Sequence, residues 1–430
     1  MTEPPPPTLS SRAATISPAA AARTPWQVLV VGAGPAGATA AHRLAVRGLR
    51  VLLVDRGSMP RSKVCGCCLS VAAIAELRLF ERGAARLPLG AIPLRTVRVA
   101  HRGRSVSLPL AGGAVVSRER LDAALVDAAI MAGCHWLPHS LLTGLVDGGD
   151  SAVATATLAV RPAAEAAALP TTITAECIVL ATGLADRVRA RVAPGTDAPT
   201  DGHDGAEMPD DNRVGLGTTL PPGMADLPCG ELTMAIGSDG YCGMVRLEDG
   251  RIDVAAAVSR VALARRASPG HTVAAILAVA AGDGGGAWPS LDAIATAEFR
   301  ATPPLTRRAP LVGGTSGRIL RCGDAARYVE PFTGEGIGWA LASGRILAES
   351  LLAVEPGAEA PPGPAAAAAR YEVAHRHRFE AAHARCRRVS LALRHPAVTM
   401  AALEAARLAP WAVRRLLPIV IGGHAGVGFP

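Results

Sequence analysis

Aromatic side chains are scarce, 3% of the 430 residues, and Lys63 is the only lysine. Nucleic-acid surfaces combine clustered basic residues with interleaved aromatic platforms. With few rings and dispersed arginines, the chain is not expected to bind nucleic acid. The formal net charge of +8 is spread along the sequence, a weak bias toward acidic ligands that identifies no partner. No stretch reaches the roughly 18 uncharged apolar residues of a membrane span. The nine cysteines contain no CxxC pairs matched at a distance. Neither a zinc scaffold nor a disulfide framework is expected, and the thiols read as reduced, in a cytoplasmic protein. Met1 to Thr24 lacks the basic start and apolar core of a signal peptide. With Pro4 to Pro7 and an alanine run, it is expected to be a disordered tail.

What is present is globular in usage, 50% hydrophobic and 19% charged. The length suits two lobes, since domains commonly run about 100 to 200 residues. Trp26 to Val31 is an apolar strand, Gly32-Ala33-Gly34-Pro35-Ala36-Gly37 turns it into an alanine-rich helix, and Leu49 to Val54 is a second strand closed by Asp55. That is a βαβ unit. A helix is expected over Ser117 to Gly133 and a buried strand at Ile178 to Ala181. Short alternating segments at Gly215 to Leu220, Glu231 to Ile236, Tyr241 to Leu247 and Ile252 to Val258 predict an antiparallel sheet. Ile319 to Cys322 reads as another strand, and a long helix follows with apolar or small positions from Ile337 to Leu351. The chain shows no internal repeat.

Gly32, Gly34 and Gly37 keep the G-x-G-x-x-G spacing of a dinucleotide site: the first permits the turn, the second admits a pyrophosphate, the third lets the helix pack on its strand. The helix N-terminus offers free N–H groups and a positive dipole end. Asp55, at the end of the second strand, is placed for a ribose hydroxyl, and Arg56 beside it joins the candidates. Far along the chain, Gly323-Asp324-Ala325 ends a strand, and Pro331-Phe332-Thr333-Gly334-Glu335-Gly336-Ile337 opens a helix. Asp324 suits a ribityl hydroxyl, and the new helix start suits the edge of an isoalloxazine where charge collects on reduction. Together these stretches predict FAD.

Here the sequence resembles the flavoprotein superfamily of geranylgeranyl reductases and aromatic-ring hydroxylases, over roughly Trp26 to Leu352. Lys63-Val64-Cys65-Gly66-Cys67-Cys68-Leu69-Ser70 is similar to the K-x-C-G-x-x-L-S segment of the reductase branch. The resemblance implies that this segment lies along the flavin, with Cys65 and Gly66 as neighbours, and that Arg118 helps hold FAD. The chain also departs from the pattern. In Ala181-Thr182-Gly183, Thr182 replaces the hydroxylases' aspartate, and Asp186 stands where they usually have serine, so nicotinamide handling in the hydroxylase manner is in doubt. Tyr241-Cys242-Gly243-Met244 lacks the tryptophan of the branch's Y-x-W-x-F-P, and no W-x-W-x-I-P element suggests a halogenase.

The expected fold is α/β: a Rossmann-like FAD lobe of the glutathione-reductase type built from discontinuous segments, an antiparallel-sheet substrate lobe and a C-terminal helical region. The expected parts are a tail (1–24), the FAD lobe (25–90, 112–190 and 301–355), substrate-lobe strands (91–111), a substrate domain (200–300) and C-terminal helices (356–430). The expected activity is FAD-dependent redox chemistry on an apolar unsaturated or phenolic substrate, isoprenoid or polyketide-like, with NAD(P)H as donor. Two alternatives stand beside it: an NAD(P)H- and oxygen-using aromatic hydroxylase, and a catalytically inactive FAD-binding protein. Cys65, Glu335 and Tyr241 are the catalytic candidates. No metal site is expected, since Cys65, Cys67 and Cys68 lack further ligands at suitable spacing, and packing beside the flavin competes with thiolate chemistry for their role. Glu335 reads equally as a carboxylate favouring its own helix start, and Tyr241 as a tyrosine capping the core. His375, His377 and His383 are expected on a solvated helix face. Trp411 to Ile421, amphipathic around Arg414 and Arg415, is open to core packing, tunnel closure or contact with a membrane surface.

Overall fold

A computed structural model of the chain describes residues 11–80, 89–110, 112–149, 151–161, 167–184, 191–192, 212–282, 288–330, 332, 334–354 and 363–409. The apolar run Trp26–Val31 is the centre of a nine-stranded sheet. It pairs in parallel with Val51–Val54 on one side and with Leu169–Leu180 on the other. His135–Leu137 extends the parallel set beyond Val51–Val54, and Ile319–Arg321 lies parallel to the C-terminal end of Leu169–Leu180. The N-terminal half of that long strand instead joins an antiparallel meander with Ala154–Val160 and Ser140–Asp147.

Side chains alternate across a strand, and the two faces of Trp26–Val31 enter different cores. Val28 and Val30 pack with the helices Pro35–Val46, Arg118–Met131 and Gly336–Leu352. Leu29 and Val31 pack with the meander's Leu142, Leu145 and Leu158. Strands distant in sequence thus complete one sheet, as a parallel crossover architecture requires.

A second sheet of seven strands runs in the order Arg300–Pro304, Arg213–Leu220, Ile252–Ser259, Gly240–Arg246, Glu231–Ile236, Thr96–His101, Arg104–Pro109. It is antiparallel but for one pair: Thr96–His101 lies parallel to Glu231–Ile236, so the all-antiparallel expectation is corrected there. The cause is the chain path, since a strand inserted from the first lobe enters the sheet without a hairpin. The helix Pro269–Ala281 covers one face through Val273, Ile276 and Leu277. The other face carries Met234, Ile236, Tyr241 and Leu305 toward the first lobe.

Two expectations fail on burial. The disordered tail over residues 1–24 is corrected for residues 11–24. Ser17 caps the short helix Pro18–Arg23, Ala21 is fully buried, and Thr15 exchanges hydrogen bonds with the Trp136 backbone at 2.9 and 2.7 Å. Arg12 pairs with Asp127. The alanine run is small enough to lie against the sheet. The solvated histidine face is corrected as well: only His377 is exposed, while His375 and His383 are buried. Tyr371, His375, Phe379 and His383 recur every fourth residue in the helix Pro364–Ala392, which places them on one face. Their successive ring centroids are 5.7, 4.7 and 5.7 Å apart, and Trp339 lies 4.6 Å from His383. Tyr371 and Phe379 turn this column into the core. Trp411 to Ile421 lies outside the described residues, and no helix among those described is long and apolar enough to cross a membrane.

Candidate functional site

The glycine-rich turn is tied by close approach. A Cβ on Gly32, whose φ is +106°, would lie 2.3 Å from the Ala181 carbonyl oxygen, and one on Gly37 would lie 1.8 Å from that of Gly32. Only glycine fits either position. A Cβ on Gly34 would meet nothing nearer than the Arg118 guanidinium at 4.0 Å, so the middle glycine faces open space where a phosphate group can approach. Gly34 is also the N-cap of Pro35–Val46 and supplies no capping side chain. The neighbouring helices Val71–Arg78 and Arg118–Met131, by contrast, are capped by Ser70 and Ser117.

The distant stretch meets this turn directly. A Cβ on Gly344 would lie 2.1 Å from the Ala36 carbonyl oxygen, and one on Gly323 would lie 2.7 Å from the Ala36 Cβ. The Gly323 amide donates to the Ser343 hydroxyl at 2.9 Å; Ser343 meets the Tyr371 hydroxyl at 3.3 Å, and Tyr371 donates to the Arg321 carbonyl at 2.9 Å. The helix Gly336–Leu352 is thereby held against Pro35–Val46, with its N-cap, Glu335, giving no side-chain cap.

Between these helix starts and the second sheet lies a cavity of about 200 Å³. Of the expected cofactor residues, Pro35, Cys65, Gly66, Arg118, Asp324, Gly334, Gly336 and Ile337 line it. The opposite wall is apolar, with Leu232, Met234, Ala257 and Leu305. Arg118 is held by Asp122 through two hydrogen bonds of 2.9 and 2.8 Å, its side chain 13% exposed. Asp324 makes no hydrogen bond to any described residue. Burial pushes its carboxyl up to about 6, the neighbouring Cys65 adds to this, and Arg118 and Lys63 oppose it. Tyr241 lines the cavity with its hydroxyl buried and without a partner, its ring 4.9 Å from Phe332 and beneath Arg213. Burial, then Glu330, raises this phenol.

The remaining candidates surround the cavity or face elsewhere. Ala33 donates its amide to Asp55 at 2.8 Å, Gly57 does so at 2.9 Å, and Arg61 pairs with the same carboxylate. Asp55 thus braces the turn, Arg61 being the partner the sequence reading missed, and Arg56 is exposed. Lys63 is half-buried, lowered to about 8 by burial and then by Arg61. Thr182 and Gly183 follow the strand whose end abuts Gly32, and the Thr182 hydroxyl is buried without a partner. Pro331 and Asp186 lie outside the described residues. Glu335 does not line the cavity: it is buried, 3.9 Å from Arg385 of the helix Pro364–Ala392. Its carboxylate lies near an arginine of the packed C-terminal helix.

Residues 30–94 match the family of NAD(P)-binding Rossmann-like domains. The menaquinone reductase of Mycobacterium tuberculosis is 38% identical over 101 residues, 22% of this chain and 24% of the relative. The geranylgeranyl diphosphate reductase of Rhodobacter capsulatus is 33% identical over 131 residues, 30% of this chain and 32% of the relative. Both alignments thus span less than a third of the relatives' own length. In structure, a geranylgeranyl bacteriochlorophyll reductase-like protein of Thermoplasma acidophilum superposes with a TM-score of 0.63 at 20% identity, covering 86% of this chain and 87% of the other. Residues 30–94 are thus similar to NAD(P)-binding Rossmann-like domains, and the chain shares the fold of the Thermoplasma protein.

Proposed function

We propose that the protein is an FAD-dependent oxidoreductase that moves two electrons between flavin and an apolar unsaturated substrate, isoprenoid or polyketide-like, with NAD(P)H as donor. One observation carries this reading: two uncapped helix starts, Pro35–Val46 and Gly336–Leu352, meet at a single cavity whose far wall is apolar.

The residues present fit FAD. The open face at Gly34 and the free first turn behind it suit a pyrophosphate. The unpartnered Asp324 carboxyl suits a ribityl hydroxyl, and the buried Thr182 hydroxyl is a polar atom awaiting a partner. Bound flavin would supply the hydride chemistry that no side chain provides. The chain's own part is to bind and orient. Arg118, fixed by Asp122, keeps positive charge beside Cys65. Leu232, Met234 and Leu305 exclude water and accept an apolar molecule. The Tyr241 hydroxyl donates a hydrogen bond to whatever occupies the cavity.

The test is anaerobic. FAD-loaded protein is bleached with NADPH or dithionite and mixed with polyprenyl substrates, menaquinone and geranylgeranyl diphosphate first, following the relatives' names. Return of the oxidised flavin spectrum with a reduced product supports the proposal. Turnover only in the presence of oxygen, with a hydroxylated product, would replace it with the aromatic hydroxylase reading.

A further inference from the structure

The segment Cys65-Gly66-Cys67 makes a turn through a left-handed residue. Cys67 has φ +52°, a left-handed conformation that L side chains rarely adopt, and its carbonyl is anchored by the Val116 amide at 3.0 Å. The turn brings the Cys67 amide to 3.4 Å from the Cys65 sulfur. Cys65 opens onto the cavity beside Arg118. Cys67 is 3% exposed, borders the same cavity, and its thiol lies between Cys65 and Asp253 of the strand Ile252–Ser259. Asp253 is itself 6% exposed, and its Oδ2 has no hydrogen-bond partner. A buried carboxyl in an otherwise apolar stretch, Ile252-Asp253-Val254-Ala255, is costly unless it serves a purpose.

We propose that Cys65 and Cys67 form a redox-active dithiol/disulfide pair that exchanges two electrons with the flavin, Asp253 being the buried proton acceptor and donor for Cys67. The proposal rests on the FAD reading above.

The two thiols are chemically unequal. The Cys67 thiol and then Arg118 hold Cys65 below the usual thiol range against the effect of burial. Cys67 is pushed up by its contact with Cys65, by burial and by Asp253. Such asymmetry divides a half-buried, cavity-facing attacking thiolate from a buried resolving thiol. Burial, then Cys65, raises the Asp253 carboxyl well above the usual carboxylate range.

The step balances without another reactant. When reduced flavin gives up two electrons and one proton, the sulfur–sulfur bond breaks. Cys65 keeps the negative charge as thiolate, and Cys67 takes the proton by way of Asp253. In reverse, Asp253 removes the Cys67 proton, the bond between the sulfurs forms, and the two electrons and the proton return to the flavin. The pair would let the site hold a second electron pair beside that on the flavin.

The test uses the full chain loaded with FAD, with C65S, C67S, C68S and D253N as variants. Anaerobic dithionite titration of the air-oxidised protein should consume about four electrons per flavin in the wild type and C68S, and about two in C65S and C67S. After free thiols are blocked, the peptide of residues 64–78 from the oxidised wild type should carry one blocking group instead of three and weigh about 2 Da less than its sequence plus that one group, a readout that needs no bound flavin. D253N should keep the four-electron capacity but close the disulfide about tenfold more slowly. Wild-type uptake of only two electrons, three blockable thiols in the oxidised peptide, loss of the capacity in C68S but not C67S, or a D253N closure rate equal to wild type would each overturn the proposal. Failure to bind FAD would defeat the flavin reading but leave the mass shift to be seen or not.

Discussion

The Tyr241 hydroxyl is buried without a partner, and an unmet buried polar group lowers stability. Tyr241→Phe should therefore leave the thermal midpoint unchanged or raise it, while kcat/KM with an apolar substrate falls about tenfold through the lost hydrogen bond. Melting curves and steady-state rates on one preparation separate the two effects; unchanged turnover would make the phenol a packing group. Glu330 illustrates the opposite case. It is buried, with Arg213 at 2.9 Å and Arg394 at 3.3 Å, and its backbone carbonyl accepts from Cys386 and Ser390. It thus joins the second sheet to the C-terminal helix. Glu330→Ala leaves two guanidinium groups near a vacated site and should cost about 3–5 kcal/mol in urea denaturation. Much of the residue-scale site was legible because glycines and strand-end acids act through the backbone at fixed spacing: Gly32, Gly37, Gly323 and Asp324 lie close to where their pattern implies. Asp253, Arg61 and the pairing of Glu335 with Arg385 were not, because each depends on a neighbour far away in the chain. The visible trace of Asp253 was one carboxylate inside an apolar strand.

Among elements, the contact between Pro35–Val46 and Gly336–Leu352 depends on a missing side chain. Gly344→Val would drive a Cβ into the Ala36 carbonyl, 2.1 Å away, and force the helices apart. FAD affinity should fall more than about tenfold as the two helix starts separate, checked by flavin fluorescence titration, with far-ultraviolet circular dichroism showing whether the helices persist. The aromatic column on Pro364–Ala392 makes a different prediction. Burial and then Arg327 lower His375 to about 4, and burial, Arg327 and His375 lower His383 to about 3, from an ordinary 6.5. Both histidines are neutral in the folded protein, while the unfolded chain takes up protons from about pH 6.5 downward, so stability is retained above that pH and lost as pH falls toward 4 and 3. Each contributes at most about 1.4 kcal/mol per pH unit in that window. His383→Phe should flatten the dependence of urea midpoint on pH between 6.5 and 4; an unaltered slope would place the effect elsewhere. The four-residue spacing from Tyr371 to His383 was readable, yet reading His375 against His377 alone pointed outward, because the anchoring Tyr371 and Phe379 were left out.

For the whole molecule, hydropathy and turn chemistry located four of the seven strands of the second sheet, Glu231–Ile236 to the residue. They did not show that Thr96–His101 enters that sheet in parallel or that residues 11–24 dock on the first, since pairing partners are chosen in three dimensions. The central claim is also of this scale: a turn near residue 34 and a helix start near residue 336 grip opposite parts of one flavin nucleotide. Equilibrium titration of the purified, flavin-stripped chain with FAD tests it most directly. One FAD per chain should bind, with Gly37→Val and Gly344→Val each abolishing uptake although they lie in the separate stretches. Absence of FAD binding by the wild type, or full binding by either variant, would contradict it.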